Sequence, residues 1–226
     1  MSSIPTTPIK AIITGSTGMV GEGVLHVCLQ QPAVEAVLVI NRKPCGIVHP
    51  KLKEIIHADF YDLAPIEKDL IGYNACFFCL GISSIGMKEA AYFKVTYTLT
   101  LHMATLLSKW NKDMTFCYIS GAGTDSSEKG RSMWARVKGK TENELMKLPF
   151  KAVYAVRPGF IKSIKGLQHT HAFYQYIGWL FPIGRTLYSK VFCTLEELSL
   201  CMIHLAQHGY GKKVVEGDDI IAAARA

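Results

Sequence analysis

The chain has 226 residues, of which 49% are hydrophobic and 19% are charged, so it can bury the core of a single globular domain. This composition excludes a disordered or repetitive chain, and no apolar run is long enough to predict a transmembrane span. The net charge of +7 favours phosphorylated ligands, but aromatic residues do not alternate with the basic ones, so we expect no specific nucleic-acid partner.

The first predicted strand, residues 9–14, ends in a glycine-rich turn that a helix follows. Gly15 lets the chain leave the strand in a tight turn, Gly18 lets backbone N–H groups approach a pyrophosphate, and Gly21 lets the helix lie close to the sheet. The pyrophosphate would sit at the positive end of that helix. Because helical periodicity resumes after the turn, a hairpin is excluded. We therefore predict a dinucleotide site that includes Gly15, Ser16, Thr17, Gly18, Met19, Val20 and Gly21.

The second predicted strand, residues 35–41, ends where dinucleotide folds distinguish the two nicotinamide cofactors. An acidic side chain there binds the free ribose 2′-hydroxyl of NAD, but this chain has Asn41, Arg42 and Lys43. The guanidinium of Arg42 suits a 2′-phosphate, and Lys43 adds a nearby charge. We predict that NADP(H) is preferred and NAD(H) is the weaker cofactor. The alternative is a solvated basic turn.

The rest of the chain continues to alternate strands with helices. Further strands are predicted at residues 53–57, 74–80, 113–119 and 151–157, and long helices at 88–109 and 132–147. This alternation predicts an α/β fold with a Rossmann-like, doubly wound parallel sheet. The apolar spacing of the helix at 88–109 is typical of a core or of a homodimer face.

Residues 158–226 no longer alternate cleanly. We expect a single domain over residues 1–226 in which this part forms a small C-terminal lid over the cofactor. Its apolar stretch, residues 172–184, favours a hydrophobic small-molecule substrate or contact with a membrane surface. A further helix is predicted to begin after Thr194, with Glu197 completing a capping box.

The seven cysteines are odd in number and lie in apolar segments, which is typical of a reducing compartment. Since the N-terminal residues lack the pattern of a secretory signal, we expect a cytoplasmic protein. Cys76 and Cys79 have redox-motif spacing, but residues three apart in a strand point to opposite faces, which argues against thiol exchange. His204 and His208 lie one helical turn apart without a third ligand, so we predict no metal site.

The chain resembles an atypical short-chain dehydrogenase/reductase in six segments. In chain order these are TGSTGMVG (14–21), HADF (57–60), CLG (79–81), YISGAG (118–123), ARVKGKTE (135–142) and RPG (157–159). The sequence is similar to the oxidoreductase Tat-interactive protein group and to bacterial relatives of the NAD-dependent epimerase/dehydratase type. The resemblance covers nearly the whole chain, and it implies a Rossmann fold and a nicotinamide cofactor.

The resemblance also implies roles for individual residues. Ser120 matches the serine that binds a substrate carbonyl, and Lys138 matches the lysine that binds the nicotinamide ribose. The further cofactor positions are Asp59 and Phe60 beside the adenine, Gly81 and Pro158 beside the nicotinamide, and Leu80, Arg157 and Gly159 in the same motifs. The alternatives are that Ser120 caps a turn and that Lys138 is a solvated lysine paired with Glu142.

The sequence departs from the family at its catalytic tyrosine, because Trp134 stands four residues before Lys138. An indole N–H donates a hydrogen bond but cannot act as a phenol does in proton transfer. Three hypotheses follow. The protein is an oxidoreductase whose proton comes from Lys138, Tyr92, Tyr97 or a water held by Ser120; or a non-catalytic cofactor-binding sensor or assembly module plugged by Trp134; or a nucleotide-sugar epimerase or dehydratase.

Overall fold

The computed structural model describes residues 7–168 and 191–226, and these residues form a central sheet of seven parallel strands. In chain order the strands of this sheet are β1 (Ile9–Thr14), β2 (Val34–Asn41), β3 (Leu52–Ile56), β4 (Ala75–Phe78), β5 (Thr115–Ile119) and β6 (Ala152–Arg157). Two short strands, β7 (Phe160–Lys162) and β8 (Phe192–Thr194), pair only with each other, and β9 (Val214–Glu216) completes the large sheet. The order across it is β3-β2-β1-β4-β5-β6-β9.

The strand order reverses direction at β1. The chain first moves outward from β1 to β3, and it then returns to place β4 on the other side of β1. Such a reversal leaves a crevice at the carboxyl ends of the two central strands, where ligands bind in open α/β sheets. The predicted doubly wound parallel sheet is therefore confirmed, and each of the six strands predicted from the sequence overlaps an observed one.

Helices cover both faces of the sheet. They are α1 (Met19–Gln30), α2 (Glu89–Phe93), α3 (Leu99–Trp110), α4 (Met133–Leu145), α5 (Leu195–His208) and α6 (Asp218–Arg225), with a 3-10 segment at Ala64–Leu70. A π-helical turn at Lys94–Thr98 joins α2 to α3, so that residues 89–110 form one continuous helical rod. None of the helices in the described ranges is long and apolar enough to cross a membrane.

The core has two parts, one on each face of the sheet. Alternate residues of β1 point to opposite faces because side chains in a strand have a period of two. Ala11 and Ile13 pack with residues of α1 and α5, whereas Ile12 packs with Met103 and Leu107 of α3. Both sheet faces are therefore apolar, which explains why the strands read as nearly continuous hydrophobic runs.

The described part of residues 158–226 belongs largely to this core. The predicted capping box opens α5: Thr194 Oγ1 accepts from the amide of Glu197 at 3.0 Å, and Glu197 Oε2 accepts from the amide of Thr194 at 2.9 Å. A Cβ on Gly23 of α1 would lie 2.2 Å from Leu195 Cδ2, so α5 packs closely on α1. The expected lid then depends on residues outside the described ranges, which include the apolar stretch 172–184, and it stays a prediction.

Candidate functional site

The glycine turn joins β1 to α1, and its glycines have different environments. Gly15 has a φ of +72°, and a Cβ there would lie 2.8 Å from the amide nitrogen of Leu80 after β4. A Cβ on Gly21 would lie 2.2 Å from the carbonyl oxygen of Gly15, so α1 rests directly on the turn. A Cβ on Gly18 would have no protein atom nearer than 3.5 Å. The packing of the protein thus requires glycine at positions 15 and 21 but leaves room at position 18.

Gly18 is also the N-cap of α1 and has no side chain that could bind the first helical amides. Uncapped amides at the positive end of a helix form an anion-binding site. Thr17 and Gly18 are exposed at this end, whereas Met19 is buried in the core and Val20 is half-buried. The exposed side of the turn can therefore accept a phosphate group.

Two predicted cofactor residues, Ser16 and Asn41, bind each other beneath this turn. Ser16 Oγ donates to Asn41 Oδ1 at 2.9 Å, and Asn41 Nδ2 donates to Glu54 Oε1 at 2.7 Å. The same carboxylate oxygen accepts from the amide of Cys45 at 2.9 Å. Both Ser16 and Asn41 are buried, so their side chains hold the turn against β2 and β3. The role of Glu54 in this network was not predicted.

Three adjoining clefts meet at the exposed side chain of Arg42. One of about 230 Å³ lies between the glycine turn and the end of β4, and it is bordered by Leu80 and Gly81. Another of the three lies beside Thr17 and the exposed Lys43. Arg42 and Lys43, the predicted basic corner of the cofactor site, therefore border the same groove as the glycine turn.

The second cleft has a volume of about 380 Å³ and is mainly apolar. Phe60, which is buried, lines it together with Leu80 and Leu99. Asp59 is exposed at its edge, and its Oδ1 accepts a hydrogen bond from the amide of Tyr61 at 2.8 Å. The cleft is thus large enough for a purine base and has apolar side chains in its lining.

Ser120 lies at the carboxyl end of β5, and its hydroxyl is part of a small network. Its Oγ lies 3.0 Å from Thr124 Oγ1, and the Thr124 hydroxyl donates to the carbonyl of Gly121 at 2.7 Å. A hydroxyl has only one proton, so with that of Thr124 used in this way Ser120 donates to Thr124. In this arrangement Ser120 offers lone pairs to a ligand and no proton. Thr124 is a residue that the sequence analysis missed.

Lys138 is half-buried next to the peptide group that joins Ile119 to Ser120. Its Nζ donates to the carbonyl of Ile119 at 3.2 Å and lies 5.1 Å from the centre of the Tyr118 ring. Burial lowers the pKa of this ammonium to about 8, although the charge of Glu142 opposes the shift. Lys138 is therefore not the solvated lysine of the alternative reading.

Trp134, one helical turn before Lys138, covers the loop that follows β5. A Cβ on Gly121 would lie 3.8 Å from the indole atom Cζ3, and a Cβ on Gly123 would lie 3.6 Å from Cη2. The side chain is half-buried. The indole thus forms a wall beside Ser120 at the position where the family has its tyrosine.

The guanidinium of Arg157, a predicted cofactor residue, points toward α4. Its Nε donates to Glu142 Oε1 at 3.0 Å, and its Nη2 donates to Glu142 Oε2 and to Ser126 Oγ. Glu142 is 2% exposed and Arg157 is 8% exposed, so this is a buried ion pair between α4 and β6. The pairing compensates two charges that lie out of water. A contact of Arg157 with the cofactor stays a prediction.

The two residues after Arg157 also make structural contacts. The carbonyl of Pro158 accepts from the amide of Ala122 at 2.9 Å, which ties the loop after β5 to the end of β6. A Cβ on Gly159 would lie 2.3 Å from the carbonyl oxygen of Val191. These contacts explain the conformation of the RPG segment and place Pro158 close to the Ser120 loop.

A fourth cleft, of about 440 Å³, lies beside Ala122 and Gly123 of the Ser120 loop and has a charged lining. Lys212 and Asp219 meet there in an ion pair, with Nζ to Oδ1 and Oδ2 distances of 2.8 and 2.9 Å. The carboxylate of Glu216 lies 3.7 Å from Arg157 at the same cleft. The expected hydrophobic substrate was inferred from residues 172–184, which lie outside the described ranges.

No group of three potential metal ligands occurs in the described ranges. His204 and His208 have ring centroids 5.0 Å apart, and burial lowers the pKa of His204. Cys76 is buried and Cys79 is half-buried, and burial raises the pKa of both thiols. Raised thiol pKa values make thiolate chemistry unfavourable at these two positions.

No protein-family model matches the sequence. The chain is similar to the protein FMP52-2, mitochondrial, of Scheffersomyces stipitis, with 30% identity over 155 residues that cover 67% of this chain and 66% of the relative. It is also similar to the protein FMP52, mitochondrial, of Debaryomyces hansenii, with 24% identity over 96% of this chain and 94% of the relative. Both relatives are named as mitochondrial proteins, which contradicts the cytoplasmic localisation expected from the sequence. That expectation rested on signs of a reducing compartment, and the cytoplasm is not the only such compartment.

Solved structures share the fold at low sequence identity. ADP-L-glycero-D-manno-heptose-6-epimerase of Helicobacter pylori has a TM-score of 0.65 at 15% identity, with 100% of this chain and 83% of that chain covered. A short chain dehydrogenase family protein of Francisella tularensis has a TM-score of 0.61 at 15% identity, covering 89% and 92%. The enzyme WbmG of Bordetella bronchiseptica, in complex with NAD, has a TM-score of 0.69 at 14% identity, covering 95% and 74%. The chain therefore has the Rossmann-type fold of the epimerases and short-chain dehydrogenases that it resembles.

Proposed function

We propose that the protein is an NADP(H)-dependent oxidoreductase that acts on the carbonyl group of a small molecule. The observation that carries this proposal is the glycine turn, whose only uncrowded glycine, Gly18, faces the groove that Arg42 borders. Protein packing accounts for Gly15 and Gly21, whereas a ligand approaching the backbone accounts for Gly18. A dinucleotide pyrophosphate at the start of α1 fits this arrangement.

The adjoining clefts support a full set of cofactor contacts. The adenine occupies the apolar cleft beside Asp59 and Phe60, and a 2′-phosphate on its ribose binds Arg42 and Lys43. The nicotinamide half extends past Gly81 toward Lys138, which holds the nicotinamide ribose as in the family that the chain resembles. The solved complex of WbmG with NAD supports a nicotinamide dinucleotide in this fold, and the basic corner favours the phosphorylated form.

The chemistry that the bound cofactor supplies is hydride transfer to a carbonyl carbon. The substrate oxygen would bind beside Ser120, and the carbonyl reduction also requires a proton. Trp134 forms one wall of this position and favours a flat or apolar group next to the reacting carbonyl.

Titration with both cofactors tests the binding part of the proposal. NADPH is expected to raise the melting temperature more than NADH at equal concentration, because a ligand that binds only the folded state stabilises it. Arg42→Ala should weaken NADPH binding about tenfold or more and leave NADH binding nearly unchanged, which corresponds to the loss of one charged phosphate contact. Arg131→Ala, an exposed arginine outside these clefts, is the matched control. Tighter binding of NADH than of NADPH contradicts the proposed preference.

A non-catalytic NADP(H)-binding sensor or assembly module is the second candidate, and Trp134 favours it. The indole covers Gly121 and Gly123 and has no ionisable proton. Oxidation of NADPH by a panel of quinones, aldehydes and ketones separates the two candidates. Turnover by the wild-type protein supports the oxidoreductase, whereas turnover that appears only in Trp134→Tyr supports the sensor. A nucleotide-sugar epimerase or dehydratase is disfavoured because such enzymes also use the missing tyrosine.

The relatives that are named as mitochondrial proteins favour a mitochondrial location for this one. Fractionation of cells that express the full chain, followed by protease protection of the mitochondrial fraction, tests this. Recovery of the protein only in the cytosolic fraction would contradict a mitochondrial location.

A further inference from the structure

The proposed reduction lacks a proton donor at the position of the family tyrosine, so the donor must be another group at the end of β5. Hydride addition to a carbonyl leaves an alkoxide that has to be protonated. The described residues offer four candidates near this point: Ser120, Lys138, Tyr92 and Tyr97. Their contacts distinguish between them.

The two tyrosines are poorly placed. Tyr92 is 2% exposed, and burial raises the pKa of its phenol, so it is both covered and a weaker acid. The Tyr97 ring stacks on Phe93 with centroids 4.4 Å apart and lies 5.7 Å from the Nζ of Lys140. Residues two apart in a helix point to nearly opposite sides, so Tyr97 faces the side of α4 away from Lys138.

The hydroxyl of Ser120 is engaged elsewhere. Its proton is donated to Thr124, whose own proton is bound to the carbonyl of Gly121. Ser120 can accept a hydrogen bond in this state but cannot supply a proton to an alkoxide. It can still position the substrate oxygen once that network rearranges.

Lys138 has the required position and an unusual environment for a lysine. Its Nζ is bound to the carbonyl of Ile119, which belongs to the peptide group that leads into Ser120, and it lies over the ring of Tyr118. Glu142, the acid one turn further along α4, is used by Arg157, and Lys138 forms no ion pair within the described part of the chain. The ammonium is therefore held by a neutral carbonyl and a ring, and the nearby charge of Glu142 offsets only part of the effect of burial.

We propose that the ammonium group of Lys138 is the general acid of this enzyme, an inference that rests on the proposed reductase function. With a bound dihydronicotinamide supplying the hydride, the new C–H bond would form at the carbonyl carbon, and the π electrons of the C=O bond would move to the oxygen. That oxygen takes a proton from Lys138 Nζ, directly or through one water. The products are the alcohol, the oxidised cofactor and a neutral amine, which regains a proton from water. With its pKa lowered to about 8, the ammonium releases a proton more readily than an ordinary lysine, and the amine is still protonated again near neutral pH.

Lys138→Arg tests the proposal because it keeps the positive charge near the ribose but cannot release a proton at neutral pH. The reaction is the oxidation of NADPH by 9,10-phenanthrenequinone, or by the best carbonyl of the panel. We expect kcat to fall about 100-fold or more, which is the usual contribution of a general acid, while the Kd for NADPH changes little. In the wild type kcat should fall as the pH rises through about 8, since the acid is then deprotonated. Lys140→Arg, on the other side of α4, is the matched control.

A second measurement does not depend on turnover. Competitive labelling of the lysines with acetic anhydride, followed by mass spectrometry of each peptide, reports the titration of Lys138 separately from that of Lys140. Reaction of Lys138 that follows a pKa near 8 supports the proposal, and a pKa above 10 overturns it.

The outcomes separate this inference from the proposed function. If the wild type reduces carbonyls and Lys138→Arg retains its kcat and pH profile, the reductase stands and the lysine is not its acid. If the wild type binds NADPH and reduces no carbonyl of the panel, the reductase proposal fails, and the role of Lys138 fails with it.

Discussion

Gly18 and Gly21 are three residues apart, yet a methyl group should have opposite effects at the two positions. At Gly21 the new Cβ would lie 2.2 Å from a backbone oxygen that cannot move away without opening the turn. We expect Gly21→Ala to lower the free energy of unfolding by about 2 kcal/mol, as overpacking does. At Gly18 the protein leaves 3.5 Å, so Gly18→Ala should change stability by less than about 0.5 kcal/mol.

Cofactor binding should reverse this order of effects. The methyl group of Gly18→Ala would occupy the place of the pyrophosphate and should weaken NADPH binding about tenfold or more. Chemical denaturation and an NADPH titration of both variants provide the check. A Gly18→Ala protein that binds NADPH as tightly as the wild type would remove the main support for the dinucleotide site.

Individual residues could be predicted from the sequence only where the backbone sets their role. The spacing of Gly15, Gly18 and Gly21 indicated the turn because those roles depend on local conformation and close approach. The bonds from Asn41 to Ser16 and to Glu54 join residues 25 and 13 positions apart, and no local pattern records them. The ion pair of Arg157 with Glu142 escaped prediction for the same reason, since its partner lies on a different element.

At the scale of elements, the buried ion pair of Glu142 and Arg157 fastens α4 to β6. Removal of one partner leaves the other charge buried without compensation, which typically costs about 3 kcal/mol or more. We expect Glu142→Gln to lower the free energy of unfolding by about that amount, as measured by chemical denaturation. Glu144→Gln, two residues along α4, should have little effect because its partner Lys147 is exposed and surface pairs contribute little. Equal effects of the two substitutions would mean that the pair does not stabilise the fold.

The main elements were predictable because their hydrophobic periods are long enough to recognise. The strands of the parallel sheet are short apolar runs, and α4 has a helical spacing over Met133–Leu145. The π-helical turn at Lys94–Thr98 was not predicted, since one extra residue in a helical turn does not change composition. β9 was missed because three residues, Val214–Glu216, cannot establish an alternation by themselves.

At the scale of the whole molecule, the net charge of +7 should assist the capture of a phosphorylated cofactor. NADPH carries an additional phosphate, so its affinity should depend more strongly on salt than that of NADH. Between low salt and about 0.5 M salt, where the Debye length becomes only a few ångströms, we expect the Kd for NADPH to rise about tenfold and that for NADH about threefold. Fluorescence titrations at several salt concentrations measure both. Parallel salt dependence of the two cofactors would contradict a role for Arg42 and Lys43.

Whole-molecule properties were the hardest to infer from the sequence. The fold class followed from the regular alternation of elements, but the compartment did not. Buried cysteines indicate a reducing environment and do not say which compartment provides it. The homodimer suggested by the apolar spacing of residues 88–109 also stays a prediction. Of the residues with this spacing, Ala104 is buried within the chain, whereas Phe93, Tyr97 and Leu101 are half-buried.

The position of β9 has a consequence for how the protein can be shortened or fused to other sequences. The amide of Ala155 in β6 is bound by the carbonyl of Lys213 at 2.9 Å, and β9 continues this pairing along the outer border of the sheet. A protein cut before residue 213 would leave the hydrogen-bonding groups of β6 uncovered, ready to recruit strands from other molecules. Residues 213–226 thus cover the edge of β6, and we expect tags placed after them to preserve the fold better than tags that replace them.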